Sequence, residues 1–278
     1  MADRNRAEGW QHAKLTGHEN EKLIAELTGS DISIQNRILR CAHIDDATVT
    51  KIEYGGLCET FVNCIFEGEK TKSKTDMRLF LSNGKRLNVS IKKDEGGQVF
   101  LIGIDRFMRG FELQYHKTIP QEVRRAIALY FGSAGDTLEI ISKYAIANVS
   151  LQTRKHRLVG ETLKAYDSNL ASLLISWFNA NIRELFDYCY ARGLARNEQD
   201  WAQIVWYRNL IGENDFDTLI YLPDTKCHFK QIAEYGTKNG GSTIQLPFGF
   251  VQWHSPSKVI PGCLQFHHNY SKILDALK

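Results

Sequence analysis

The sequence predicts an α/β fold in which a sheet of strands carries a helical insertion. Polar and apolar residues alternate between about residues 47 and 103, apolar residues recur at helical spacing between about 104 and 212, and alternation returns after residue 212. No stretch rich in proline, glycine or serine separates these regions. We therefore expect a single domain, 1–278.

The first predicted element is a short helix over residues 17–27. Thr16 is a plausible N-cap, Glu19 follows it three positions later, and Leu23 and Leu27 fall on one helical face. The segments with a period of two then predict four strands, over residues 48–54, 60–66, 75–81 and 86–92.

The last two of these strands form the best-specified pair, because Asn83-Gly84 lies between them. This dipeptide is typical of a two-residue type I′ hairpin turn, in which both central residues have positive φ. Pairing across this turn brings Asp76 close to Ser90 on the neighbouring strand.

Helices are expected in the middle of the chain and strands at its end. Pro120 begins a helix that Gly132 ends, and longer apolar stripes predict helices over residues 161–192 and 200–210. The C-terminal strands are expected over residues 216–222, 243–254 and 264–267.

Composition excludes several classes of protein. The 278 residues are 43% hydrophobic and 24% charged, with a net charge of +3, which excludes collagen-like and disordered chains. No apolar run approaches the roughly 20 residues that span a bilayer, and the N-terminus is polar, so we expect a cytoplasmic protein without a membrane partner. The six cysteines include no Cys-x-x-Cys pair, and no phosphate-loop motif is present.

The hairpin carries the residues with the most chemical content. Asp76 lies on one strand, and Ser90 and Lys92 share a face of the other. Metal-dependent phosphodiester hydrolysis needs a carboxylate to hold the cation and a nearby positive charge to stabilise the transition state. An exposed cross-strand ion pair is the alternative interpretation of the same residues.

The charge around the hairpin favours the first interpretation. Eight basic residues and a single acid, Asp76, occur between residues 70 and 93. Basic residues attract a polyanion, while a lone carboxylate among them retains a cation.

The motif Lys74-Thr75-Asp76, followed by a hairpin and Asn88-Val89-Ser90-Ile91-Lys92, resembles the PD-(D/E)xK nuclease core in the variant found in several type II restriction endonucleases. The resemblance implies a mixed sheet flanked by helices. It covers residues 12–115, the expected catalytic core. The pattern of the remaining residues predicts a helical region over 116–212 and C-terminal strands over 213–278, the candidate DNA-recognition region.

The resemblance also implies roles for individual residues. Asp76 and the Ile91 carbonyl are expected to be metal ligands, and Lys92 the catalytic lysine. The first helix of the family often adds a glutamate, for which Glu21 is the first candidate and Glu19 the second.

One departure from the family pattern concerns Ser90, which stands where the family usually has Asp or Glu. Some restriction enzymes with serine there take the acid from the following helix, about a dozen residues after the lysine. Asp105 follows Lys92 after twelve intervening residues and is the candidate for this ligand. Its alternative role is that of a first-turn acid favoured by the helix dipole.

The resemblance implies a Mg²⁺-dependent type II restriction endonuclease, with Mn²⁺ as a substitute cofactor, acting on double-stranded DNA as a homodimer. The alternatives are a catalytically silent DNA-binding or assembly protein and a structure-selective repair nuclease. Residues 267–269, His-His-Asn, also invite comparison with HNH-type nucleases, although only a short segment follows them. The expected DNA-contacting residues are Lys74, Arg78, Lys93, Arg154, Lys155, Arg157, His254, Lys258, His267 and His268.

Overall fold

A computed structural model describes residues 6–55, 61–144, 157–212, 215–254 and 262–278. Its helices are α1 (Arg6–Ser30), α2 (Ile32–Cys41), α3 (Ile104–Tyr115), α4 (Gln121–Phe131), α5 (Thr137–Tyr144), α6 (Gly160–Tyr166), α7 (Ser168–Ala180), α8 (Ile182–Asp187), α9 (Leu222–Thr225) and α10 (Tyr270–Leu277). Its strands are β1 (Val49–Tyr54), β2 (Phe61–Asn63), β3 (Lys70–Lys72), β4 (Met77–Leu81), β5 (Arg86–Lys92), β6 (Gly96–Gly103), β7 (Ile204–Arg208), β8 (Asp217–Tyr221), β9 (Glu234–Tyr235), β10 (Thr243–Leu246), β11 (Gly249–His254) and β12 (Cys263–Asn269). The predicted α/β class, a mixed sheet flanked by helices, is confirmed.

The chain divides into two compact units. The first comprises Met1–Glu95 and Tyr190–Thr225, and the second Gly96–Cys189 and Lys226–Lys278. Each unit contains one five-stranded sheet. The functional division into residues 12–115, 116–212 and 213–278 stays a prediction.

The sheet of the first unit has the strand order β1-β4-β5-β7-β8. It is mixed, because β5 and β7 run parallel while the other neighbours are antiparallel. One face is apolar and packs with α1 and α2 into a core that includes Ile24, Ile38, Leu79, Val89 and Trp206. The alternate residues of β4 and β5 point to the second face of the sheet, and many of them are polar.

The predicted hairpin is confirmed, but the predicted type of turn is wrong. Strands β4 and β5 pair with Met77 opposite Val89. The Gly84 N–H donates to the Leu81 carbonyl at 3.0 Å, and Gly84 has a φ of 79°. Asn83 is not among the described non-glycine residues with positive φ. The loop is therefore a three-residue connection in which glycine alone takes the left-handed conformation.

Two predicted helices in the middle of the chain are corrected. The segment expected to be one helix over residues 161–192 contains α6, α7 and α8, followed by a π-helical turn at Tyr188–Arg192. The segment expected to be a helix over residues 200–210 contains strand β7. The first four residues of β7 are buried, so its apolar residues line both faces of a central strand and carry no period of two.

The second unit has a sheet of order β6-β12-β11-β10-β9, in which every pair is antiparallel. Its core is aromatic: the Phe107 ring lies 5.7 Å from Phe266 and 6.2 Å from Trp177, and Phe111 lies 5.9 Å from Tyr188. None of the helices within the described residues combines the length and the apolar character that a membrane span requires.

Candidate active site

Asp76 lies immediately before β4, at the end of the sheet where β5 finishes. Its backbone N–H donates to the Val89 carbonyl at 2.9 Å, which extends the hairpin pairing by one residue. Its Oδ2 accepts from the Ser90 hydroxyl at 3.0 Å and from the Ile91 N–H at 2.6 Å. Asp76 is 8% exposed, and these two hydrogen bonds hold its Oδ2. No hydrogen bond to Oδ1 is found in the described part of the chain.

Lys92 ends β5 on the same face as Ser90. Its Nζ donates to the Ser90 hydroxyl at 2.8 Å and to the Ile91 carbonyl at 3.1 Å, and lies 3.9 Å from Asp76 Oδ2. Ser90 therefore accepts from the lysine and donates to the aspartate, linking the two charged groups through one hydroxyl. The Lys92 side chain is 21% exposed, so the ammonium remains accessible at the edge of this cluster.

Helix α1 brings a second carboxylate to the same place. Asn20 is buried and fastens α1 to the end of β7, because its amide donates to the Arg208 carbonyl at 2.9 Å and accepts from the Leu210 N–H at 2.8 Å. The next residue, Glu21, has a side chain that is only 16% exposed, whereas Glu19 is exposed. The structure thus places Glu21, rather than Glu19, beside the hairpin.

The electrostatics of Glu21 indicate that its carboxyl group interacts with that of Asp76. The pKa of the Glu21 carboxyl is raised from 4.5 to about 7. Burial is the largest cause of this rise, and the negative charge of Asp76 is the second. A hydrogen bond and charge from His18, and the charge of Lys92, act in the opposite direction. Two carboxylates held together in a partly buried site favour the binding of a cation between them.

The oxygen atoms of this cluster are of the chemical type that binds a magnesium ion. Mg²⁺ is commonly bound by one or two carboxylates, with water and substrate phosphate completing its coordination. Asp76 Oδ1, the Glu21 carboxylate and the Ile91 carbonyl supply such oxygens. Within the described residues no group of three or more His, Cys, Asp or Glu side chains is placed to hold a metal, so a third acidic ligand is not found there.

Asp105 lies in the second unit, exposed in the first turn of α3. This position suits an acid that interacts favourably with the helix dipole. The role of Asp105 as a metal ligand stays a prediction.

The expected DNA-contacting residues of the first unit flank the cluster on the hairpin. Lys74 is half-buried, Arg78 is half-buried on β4, and the Lys93 ammonium lies 3.3 Å from Asp94. These positions leave all three as candidates for contact with a phosphate backbone.

Two of the expected DNA-contacting residues of the second unit have little exposure to solvent. Arg157 is 5% exposed, and its guanidinium lies 5.5 Å from the ring centroids of both Tyr130 and Trp253. His268 is also buried. Aromatic rings and the Ser242 carbonyl surround the Arg157 guanidinium, and its contact with DNA stays a prediction.

The remaining members of that set differ in environment. His267 and His254 are half-buried, and the His267 ring stacks on Phe250 at 4.5 Å. Burial, and then the charge of His254, lowers the pKa of His267. Arg154, Lys155 and Lys258 lie outside the described residues.

Sequence reasoning missed His18, whose Nδ1 lies 3.3 Å from Glu21 Oε2. The spacing of three residues on one helix is the signal that identifies such a pair, because residues i and i+3 share a helical face. His18 restrains the Glu21 carboxylate in the way that Ser90 restrains Asp76.

Comparison with models of protein families gives no match for this chain, and comparison with curated proteins gives none. Among solved structures, the fold is similar to that of the restriction endonuclease MspI in complex with its cognate DNA. That similarity has a TM-score of 0.46 and 11% sequence identity, and covers 84% of this chain and 77% of that chain.

Proposed function

We propose that the protein is a Mg²⁺-dependent endonuclease that hydrolyses phosphodiester bonds of double-stranded DNA at a specific short sequence. The observation that carries the proposal is the cluster of Asp76, Glu21 and Lys92, in which Lys92 Nζ lies 3.9 Å from Asp76 Oδ2 and the two carboxylates influence each other. A surface ion pair would need neither the second acid nor the buried hydrogen bonds to Ser90 and Ile91.

Asp76 Oδ1, the Glu21 carboxylate and the Ile91 carbonyl would hold the metal, and Mn²⁺ would substitute for Mg²⁺. When bound, the metal supplies Lewis-acid polarisation of the phosphate and lowers the pKa of a water molecule. The Ile91 N–H and the Ser90 hydroxyl restrain the Asp76 carboxylate before substrate arrives. Restraint of this kind lowers the reorganisation needed during reaction.

Lys92 has two roles in this proposal. Its ammonium orients the attacking water for in-line displacement, and it stabilises the negative charge that develops on the phosphoryl oxygens. The hydrogen bonds to Ser90 Oγ and the Ile91 carbonyl limit the rotation of the lysine. Ser90 is therefore a positioning residue that acts through Asp76 and Lys92.

The excess of basic residues on the hairpin supports DNA as the substrate, because it attracts the phosphate backbone. A restriction enzyme with a palindromic target would act as a homodimer that matches the two-fold symmetry of the site. We place this activity in the cytoplasm.

A second candidate is a catalytically silent DNA-binding protein. Ser90 supports it, since this residue replaces the acid that the nuclease family usually has at this position. Such a protein would keep the basic surface and lose tight metal binding.

The test is incubation of the purified protein with phage and plasmid DNA in Mg²⁺ or in EDTA. Asp76→Ala and Lys92→Ala are compared with wild type and with Lys85→Ala, which changes an exposed lysine in the hairpin loop. Discrete fragments that require Mg²⁺, persist in Lys85→Ala and vanish in the other two variants support a restriction endonuclease. Nicks confined to branched substrates indicate a repair nuclease, and intact DNA in every lane, with folded protein, indicates the silent protein.

A further inference from the structure

Asn88 on β5 is buried and has an unusually complete set of hydrogen bonds. Its backbone N–H donates to Gln203 Oε1 at 2.7 Å, and its side-chain Nδ2 donates to the carbonyls of Gln199 at 2.9 Å and Trp201 at 2.8 Å. These bonds fix the orientation of the amide. The remaining acceptor, Oδ1, accepts from Arg78 Nε at 2.9 Å.

The neutral side chain of Asn88 therefore holds the guanidinium of Arg78 in one position. Arg78 is half-buried and forms no ion pair within 4.0 Å in the part of the chain that the structure describes. Because Nε donates to Asn88, and no hydrogen bond of the two terminal nitrogens is found among the described residues, these nitrogens form the open end of the guanidinium. This fork matches the oxygens of a phosphate.

A second arginine lies next to the first. Arg86 lies opposite Phe80, two residues after Arg78, so the two arginines share one face of the hairpin and their positive charges repel each other. Neighbouring acids offset this in part: Arg86 Nη2 lies 3.7 Å from Asp200, and Glu53, opposite Arg78 on β1, pairs with Lys51 at 2.6 Å. In the described part of the chain Asp200 and Glu53 are each paired with another cation, so a bound anion would offset the charge of Arg78.

The position of Arg78 relates this pair to the proposed active site. Asp76 and Arg78 are two residues apart along the strand, which corresponds to about 7 Å and to the same face of the sheet. Asn88 lies opposite Arg78 in the register, two residues before Ser90. A nucleotide strand with its scissile phosphate at Asp76 would therefore carry a neighbouring phosphate toward Arg78.

We infer that Arg78 and Arg86 bind a second backbone phosphate of the DNA strand, one or two nucleotides from the scissile phosphate, and that Asn88 positions Arg78 for this contact. The inference rests on the proposed function, because it takes Asp76 as the place of the scissile phosphate. The ligand is a phosphodiester, so the contact contributes affinity and register but reads no base.

The first experiment measures the affinity of wild type and Arg78→Gln for a duplex in EDTA, where no cleavage occurs, over a series of salt concentrations. Loss of one phosphate contact lowers the slope of log affinity against log salt by about one. Arg40→Gln, which changes an exposed arginine on α2 of the same unit, is the matched control and should keep the wild-type slope. Arg78→Lys retains the charge and should keep the slope while binding more weakly.

The second experiment locates the contact. Duplexes carrying the mapped cleavage site and one neutral methylphosphonate at successive positions are bound to wild type and to Arg78→Gln. A methylphosphonate one or two nucleotides from the cleaved bond should lower the affinity of wild type about tenfold. It should leave the affinity of Arg78→Gln unchanged, since that variant has already lost the contact.

The outcomes separate the two proposals. If the slope of log affinity against log salt is the same for Arg78→Gln and wild type, the second phosphate site is overturned. The proposed function still stands in that case, provided that Asp76→Ala has lost cleavage. Absence of both binding and cleavage by the wild type overturns the proposed function and this inference with it.

Discussion

Ionised Glu21 should destabilise the metal-free protein, and Glu21→Gln should remove that effect. The pKa of Glu21 is 4.5 in a solvated carboxyl and about 7 in the folded protein, where burial and Asp76 oppose its ionisation. The folded protein thus retains a proton that the unfolded chain releases between these two values. The contribution of Glu21 to the free energy of unfolding therefore falls as pH rises through this window, by about 3 kcal/mol in all.

The assay is urea denaturation in EDTA at about pH 4.5 and about pH 8, at the lower edge of the window set by Glu21 and above it. Glu21→Gln should match wild type at the lower pH and exceed its free energy of unfolding by up to about 3 kcal/mol at the higher pH. Glu19→Gln, which changes the exposed glutamate on the same helix, should match wild type at both. An equal stability of Glu21→Gln and wild type at the higher pH would refute the reasoning.

Three further predictions concern packing, capping and the serine of the cluster. Leu79→Ala should lower the free energy of unfolding by about 3 kcal/mol, because Leu79 is fully buried. Leu138→Ala, at a residue that is 63% exposed, should change that free energy little in the same denaturation assay. Asp167→Ala should lower it by about 1 kcal/mol, since the Asp167 carboxylate caps α7 by accepting from the N–H groups of Asn169 and Leu170; an unchanged urea midpoint would contradict this. Ser90→Ala should slow single-turnover cleavage about tenfold by freeing Lys92 and Asp76 from their shared hydroxyl, and a wild-type rate would remove the positioning role.

The local part of the site could be predicted from the sequence because it depends on a hairpin. The Asn83-Gly84 loop and the alternation of β4 and β5 suffice to bring Asp76 opposite Ser90, whatever the exact turn. The turn type itself was wrong because a type I′ and a three-residue loop with glycine in the left-handed conformation share the same residues.

The remainder depends on contacts between distant segments of the chain. Strand β7 pairs in parallel with β5 across more than a hundred residues, and its buried apolar run gives no strand period. The approach of Glu21 to Asp76 follows from the packing of α1 on the sheet and from the bonds of Asn20 to the end of β7. Asn88, an unremarkable strand residue in the sequence, acquires its role only because Gln199, Trp201 and Gln203 surround it.

The most direct test of the proposed chemistry is the single-turnover rate of Mg²⁺-dependent plasmid cleavage by Lys92→Met, measured beside Lys85→Met at saturating protein. Lys92→Met removes the ammonium that lies 3.9 Å from Asp76 Oδ2 and should cleave at least about a hundredfold more slowly than wild type while binding DNA with similar affinity. Lys85→Met should cleave at the wild-type rate. Cleavage by Lys92→Met at that same rate would contradict the assignment of the acid–lysine cluster as the site of phosphodiester hydrolysis.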